Sequence, residues 1–296
     1  LLLSAGVIQA GGGLANIANT IKSTDSAMLE PLSDGKMPYT LYFTQWLLVG
    51  VCTIALPQSV VRSLSYKDTK SLHRAMIIGT AVIAIVTFGM HWVGILTKGF
   101  MTGPVESYGG TIDNIIPYAI VHTMHPVLAG ITIIGPIAAT ISTVSSLLIA
   151  ASSAVIKDVC LNIAEKKHRQ YSDKTLAAAS MGLTVILGLL VFWIAVEPPS
   201  VIWKINMFAF GGLEAAFFWI LLFGLFWPKA NKTGALCSLT GGVATYCVTM
   251  AAGYKFLSMH QIFLAIIMAL VCFLVGNAIG KPHDEATQRL FFPEKF

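Results

Sequence analysis

Charge is what this sequence has least of. Only 11% of its 296 residues are Asp, Glu, Lys or Arg, against about 25% in an average soluble domain, and a single water-soluble domain is excluded by that shortage. The net charge of +5 is too small for the clustered basic face that nucleic acid requires, so no nucleic-acid partner is expected. Cysteine is scarce too. Cys52, Cys160, Cys237, Cys247 and Cys272 show no CxxC spacing, and an odd number scattered through apolar stretches argues against a disulfide framework. They read as small buried apolar residues. GxSxG, P-loop, HExxH and strand-borne GxGxxG patterns are missing, and His91, His122, His125 and His260 form no paired ligand pattern. No catalytic residue is therefore assigned, and the chain reads as a non-enzyme. The HxxxxD string from His168 to Asp173, a spacing used by some acyltransferases, is the feature that keeps a membrane-embedded acyltransferase in view as the competing reading.

What the chain has in abundance is long uncharged apolar runs. They cover residues 1–21, 41–61, 75–97, 127–156, 175–196, 205–228, 233–254 and 256–280, and the sixth alone contains a charged residue, Glu214. A hydrocarbon core about 30 Å thick takes roughly 20 helical residues to cross. The pattern predicts an all-α integral membrane protein of eight transmembrane helices in contact with lipid. Transmembrane strands would alternate apolar and polar residues, and none of these runs does.

Lys and Arg are retained on the cytoplasmic side of a membrane, so their distribution predicts orientation. Arg62, Lys67, Lys70, Arg74, Lys157, Lys166, Lys167, Arg169, Lys174, Lys229, Lys232, Lys281, Arg289 and Lys295 follow even-numbered spans, whereas only Lys22, Lys36, Lys98, Lys204 and Lys255 follow odd-numbered ones. Even-numbered spans are expected to end in the cytoplasm, together with a C-terminal tail over 281–296. The chain opens at Leu1 inside an apolar run, without Met and without the basic start of a signal peptide. It reads as part of a longer chain with helices upstream. Of the longer outer connections, 22–40 and 98–126, the second holds an apolar patch at 115–124 that predicts a short helix on the membrane surface.

Three places carry polar groups where apolar ones are expected. In the fourth span Ala139, Ser142, Thr143 and Ser146 recur at helical spacing on one face near mid-span. Two hydroxyls and a backbone carbonyl converging there suit a hard cation such as Na⁺; the same small residues also suit close helix packing. Pro136 frees a carbonyl one turn earlier. Glu214 is the sole intramembrane carboxylate, costly enough to be read as functional by default. The alternative is a carboxylate hydrogen-bonded to a neighbouring helix. Gly211 and Gly212 before it permit local unwinding or close helix contact. In the second span Pro57 and Gln58 follow Gly50, a proline-interrupted helix of the kind that opens backbone toward a cavity, with Trp46 and Gln58 able to meet a polar solute. A simple proline kink is the competing explanation.

Three strings, VVRSLSYKDTKSLHRAMIIGT from Val60, AATISTVSSLLIAASSAVIKD from Ala138 and MFAFGGLEAAFFWILLFGLFWPKANKTGA from Met207, resemble the sodium/solute symporter family. The run from Gly224 through Gly234 and Ala235 to Gly242 follows that family's late signature, departing at Thr240 where an aliphatic residue is usual. The resemblance implies a leucine-transporter-like fold of two five-helix inverted repeats. By it, residues 1–21 are the last helix of the first repeat, 41–228 the second repeat and 233–280 two peripheral helices. It implies symport of a small solute coupled to Na⁺, pantothenate being the expected cargo and proline or a monocarboxylate the alternative, across a bacterial inner membrane by alternating access. It places Na⁺ on Ala139, Ser142 and Thr143; for the solute the resemblance carries over no residue, and Trp46, Gln58, Asn206 and Glu214 are the candidates read from the polar positions of this sequence itself.

Overall fold

A computed structural model describes residues 2–63, 66–168, 171–282, 288, 289 and 292. Among the described residues all regular structure is helical. Six helices are long and apolar enough to cross a membrane: α5 (Thr69–Phe100), α7 (Pro126–Ser153) with its continuation to Lys166, α9 (Asp173–Val196), α10 (Ile202–Phe226), α11 (Lys232–Ala251) and α12 (Gln261–Ile279). Shorter helices are α1 (Leu2–Ala10), α2 (Leu14–Asp25), α3 (Tyr39–Gly50), α4 (Pro57–Ser63), α6 (Ile115–Thr123) and α8 (Asn162–Lys166).

The two remaining apolar runs form interrupted helices, each for a local reason. In the run 1–21, Gly12 and Gly13 take φ values of 74° and 102°, a left-handed conformation that glycine adopts without penalty. The Gly13 N–H reaches back to the Ile8 carbonyl at 2.8 Å and the Asn16 amide donates to the Gly11 carbonyl at 2.7 Å, a Schellman-type close that ends α1. In the run 41–61, α3 gives way to a 3₁₀ turn over Cys52–Ala55, and Leu56 is extended with ψ 127°. A residue preceding proline is driven out of the helical region, and Pro57 then starts α4 with φ already helical.

The chain divides into two compact units, Leu1–Thr24 with Met76–Ile202, and Asp25–Ala75 with Trp203–Phe296. In the first, Leu3 and Val7 of α1, Ile17 and Ile21 of α2, Val93 and Leu96 of α5 and Ala119 and Ile120 of α6 form one buried apolar cluster. The expected helix at 115–124 is present as α6, and it packs on α1: a Cβ on Gly6 would lie 2.9 Å from the Thr123 carbonyl oxygen. Ser152 of α7, fully buried, receives a 2.8 Å hydrogen bond from the Thr184 hydroxyl of α9. Elsewhere α5, α7 and α9 present large aliphatic and aromatic side chains outward, Trp193 at 78% exposure among them, as helix faces meeting lipid do. From Ala154 to Leu161 the helix after α7 winds as a π-helix before resuming as α8.

The second unit is held by close backbone approach. Cβ atoms on Gly234, Gly241, Gly242 and Gly276 would run into residues of the facing helix: Asn277, Cys272, Ala269 and Cys237 respectively. Small residues are what let membrane helices pack at this range. Directional bonds fix the register. Asn231 caps α11 by accepting from the Gly234 N–H at 2.9 Å, while its own backbone N–H and side-chain amide donate to the side chain and carbonyl of Asn277, both at 2.8 Å. The Trp219 indole of α10 donates to the Ile266 carbonyl at 2.8 Å, and the Tyr246 hydroxyl of α11 to the Met207 carbonyl at 3.2 Å. The His260 backbone N–H donates to the Thr44 hydroxyl of α3 at 2.8 Å. Near the start of α5, Asp68 accepts from the backbone and hydroxyl of Ser71; these bonds, the backbone one foremost, hold its carboxyl below the usual carboxylate range.

Two outcomes follow from this packing. A Cβ at Gly242 meets the Ala215 carbonyl oxygen and, at 2.9 Å, the Ala269 methyl, whereas nothing lies within 4 Å of one at Gly224. Gly242→Ala is expected to destabilise the protein by about 1–3 kcal/mol through overpacking and Gly224→Ala to leave it unchanged or firmer, as read from thermal unfolding in detergent. His260 lies just outside spanning helix α12 and caps it, its Nδ1 accepting from the Ile262 N–H at 3.3 Å. Burial, then Lys255 nearby, push its imidazole down from 6.5 to about 4. The folded state thus disfavours the proton that the unfolded chain accepts. Its contribution is present above about pH 6.5 and declines as pH falls toward 4, by on the order of 3 kcal/mol. His260→Asn, which caps without titrating, should flatten the fall in melting temperature over that range.

Candidate functional site

Helix α7 runs unbroken through Pro136, although a proline there leaves the carbonyl one turn earlier without its usual donor. Beyond it the hydroxyls turn back on their own helix. Thr140 donates to the Pro136 carbonyl at 2.9 Å and Ser146 to that of Thr143 at 2.8 Å. Ser142 and Thr143 do something different: both donate to the same oxygen, the Ala139 carbonyl, each at 2.9 Å. Three oxygens are thereby gathered at one point on one face. With each hydroxyl hydrogen committed to the carbonyl, the lone pairs of Ser142 and Thr143 are left facing outward. The donor set is neutral, hard and all oxygen, which suits an alkali cation and offers nothing to a soft metal. The three residues are exposed on the first unit. Ser152, further along α7, is instead tied into a contact with Ser180 and Thr184 of α9.

The four residues expected to meet solute lie in the second unit, which is described separately. Trp46 of α3 is 49% exposed and stands edge-on to Tyr42; Asn206 of α10 is exposed and Gln58, in the first turn of α4, half-buried. Among the described residues no hydrogen bond joins any two of Trp46, Gln58, Asn206 and Glu214. A cleft of about 300 Å³ beside the helix break is walled by Ala55, Pro57, Val60, Phe217, Ile220 and Leu221. Its walls are wholly apolar and give a polar solute no anchor.

Glu214 is fully buried, and neither carboxylate oxygen has a hydrogen-bond partner. Cys52 of the 3₁₀ turn and Tyr246 of α11 pack with Ala215, the residue next to it. Both belong to an apolar cluster with Leu48, Ala215, Ile262, Ala265 and Ile266. Of the two uses open to Gly211 and Gly212, the structure shows close contact: α10 continues through them, and the Tyr246 ring lies against Gly211. Cys52 and Tyr246 are missed by reading along the chain, because each reaches the surroundings of Glu214 from a distant segment. No local signal marks Cys52; the glycine pair is the signal for a large neighbour such as Tyr246. The HxxxxD string spans residues 169 and 170, outside the described residues, and no group of three or more His, Cys, Asp or Glu able to hold a metal occurs among the described residues.

Comparison with known proteins identifies the family of the chain. The model of the sodium:solute symporter family matches residues 1–242. Along 97% of its length the chain is 35% identical to the sodium/pantothenate symporter of Haemophilus influenzae and 37% identical to that of Escherichia coli. It is 24% identical over 95% of its length to the osmoregulated proline transporter of Bacillus subtilis. The chain spans 58% of the length of either pantothenate relative. Spanning-length apolar helices and a family of transporters together describe a multi-pass membrane protein. With a family match reaching from the first residue through α11 as far as Gly242, the chain belongs to the sodium:solute symporter family.

Proposed function

We propose that this chain forms part of a sodium-coupled symporter that carries pantothenate into the cell. The observation that carries the reading is the convergence of Ala139, Ser142 and Thr143 on one point of α7, in a chain whose 35% and 37% identical relatives are sodium/pantothenate symporters. Proline is the second reading, favoured by the more distant proline transporter. In this proposal Na⁺ takes the Ala139 carbonyl and the two hydroxyls as part of its shell. Trp46, Gln58 and Asn206 meet the solute, and Glu214 supports turnover from behind them.

The proposed architecture is two inverted repeats, with residues 1–21 ending the first, 41–228 forming the second and 233–280 adding two peripheral helices. The helix breaks at Gly11–Gly13 and at Val51–Leu56 support it, since discontinuous helices are where such transporters expose backbone to ions and solute. The protein would lie in a bacterial inner membrane with its C-terminal tail in the cytoplasm, as the uneven spread of basic residues implies. Entry of an anionic solute with more than one Na⁺ carries net positive charge inward, favoured by about 2.3 kcal/mol per charge at 100 mV.

Uptake tests this directly. In the full-length transporter, labelled pantothenate should accumulate with external Na⁺ and fall to background with choline; excess unlabelled proline should not compete. Equal uptake in both salts would overturn sodium coupling, and competition by proline would move the cargo. Ser142→Ala and Thr143→Ala should each raise the half-saturating sodium concentration roughly tenfold, as loss of one charge–oxygen contact does. Ser152→Ala should lower abundance, since it breaks the contact with Thr184, and leave sodium dependence unchanged. Orientation has its own check: cysteines placed at 68 and 165 in a cysteine-free background should label only from the cytoplasmic side, and those at 34 and 106 only from outside. The opposite labelling of either pair would overturn the orientation.

A further inference from the structure

Among the described residues, Glu214 stands apart from every other acidic side chain. It is the only Asp or Glu that is fully buried, and both its oxygens lack a partner. The apolar cluster around its neighbour Ala215, with Cys52 and Tyr246, belongs to the second unit. The groups facing it offer no positive charge. The 3₁₀ turn brings Cys52 and α11 brings Tyr246 into the cluster around neighbouring Ala215, with the Tyr246 ring against Gly211 one turn earlier; the Tyr246 hydroxyl hydrogen is already given to the Met207 carbonyl. The start of α12 brings His260 no nearer than a ring contact with Tyr246, centroids 6.5 Å apart, and that imidazole is itself pushed toward its neutral form by burial. Helix α10 carries one other charged residue, Lys204, ten positions earlier. An ionised carboxylate buried without a counter-charge or a hydrogen-bond donor is strongly disfavoured against its neutral acid.

We propose that Glu214 is a proton-binding site, the carboxylate taking one proton from bulk water to become a neutral acid in the enclosed conformation seen here and returning it when the wall around it opens. The enclosed conformation then holds one more proton than the opened one. Low pH favours enclosure and high pH favours opening. The wall most suited to opening is the interrupted segment between α3 and α4, because Cys52, Ala55 and Leu56 of that segment are buried in a stretch without regular α-helical bonding. This goes beyond sodium coupling and is indifferent to the solute carried.

Infrared spectroscopy of the full-length transporter in lipid vesicles tests it without any transport assay. At pH 7 in choline, the wild type should show a carboxylic-acid carbonyl band that shifts in D₂O, moves on labelling with carboxyl-¹³C glutamate, and fades as pH is raised. Glu214→Gln, close in shape to the neutral acid, should remove that band entirely while gel filtration shows an intact fold. Identical acid bands in wild type and folded variant would overturn the proposal. If the variant does not fold, the labelled wild type decides alone: no glutamate acid band at pH 7 overturns it. A glutamate carboxylate band that responds to Na⁺ replacing choline would make the site a cation site, which also overturns it. Sodium-driven uptake can fail while the band is present, so the two readings fail separately.

Discussion

Helices that stand in hydrocarbon gain little by hiding apolar side chains from one another, since lipid tails are as apolar as leucine. What remains to hold them is close van der Waals approach and a small number of directional bonds. The second unit is built on that constraint. Its glycines on α11 and α12 bring backbones together, and the Asn231–Asn277 clasp and the Trp219 and Tyr246 bonds to backbone carbonyls fix how the helices slide and turn. The enclosure of Glu214 is a product of the same seam. Gly211 admits the Tyr246 ring and Gly242 admits the Ala215 carbonyl, so α11 closes over the carboxyl more tightly than larger residues would allow.

The first unit answers the same constraint on a smaller scale. Several hydroxyls along α5 and α7 return their hydrogen to a carbonyl of their own helix, as Thr80 does to Met76 and Ser145 to Ile141. Such bonds remove the cost of an unpaired donor in lipid. Doubling two of them onto the Ala139 carbonyl gathers three oxygens at one point by the same device.

Much of this was legible along the chain, and the limits have physical causes. Uncharged run length located the six continuous helices because bilayer thickness acts residue by residue on hydropathy. The two runs that break do so through φ preferences that hydropathy averages away. The Gly11–Gly13 triplet and the leucine before Pro57 were visible signals of that kind. The spacing of Ala139, Ser142 and Thr143 placed them on one face, yet their sharing of one acceptor depends on side-chain rotamers that spacing does not specify. Glu214 was conspicuous as a lone charge. That Cys52 and Tyr246 pack beside it on Ala215 arises from contacts between distant segments, and the Ser152 link to Thr184 crosses between helices in the same way.

The π-helical stretch over Ala154–Leu161 acts on everything that follows it. A π turn takes in one more residue than an α turn, so the residues after that stretch lag in angle behind where an unbroken α-helix of the same length would put them. Side chains on α8 are therefore aimed by the stretch as much as by their own sequence positions. Were the stretch to relax to α-helix at unchanged length, the downstream face would swing by roughly 100°, carrying Ala164, now buried, toward the surface. For evolution this makes the segment a length buffer: one residue can be lost there as the wide turn tightens to α, with α8 keeping its aim and the oxygen cluster upstream untouched.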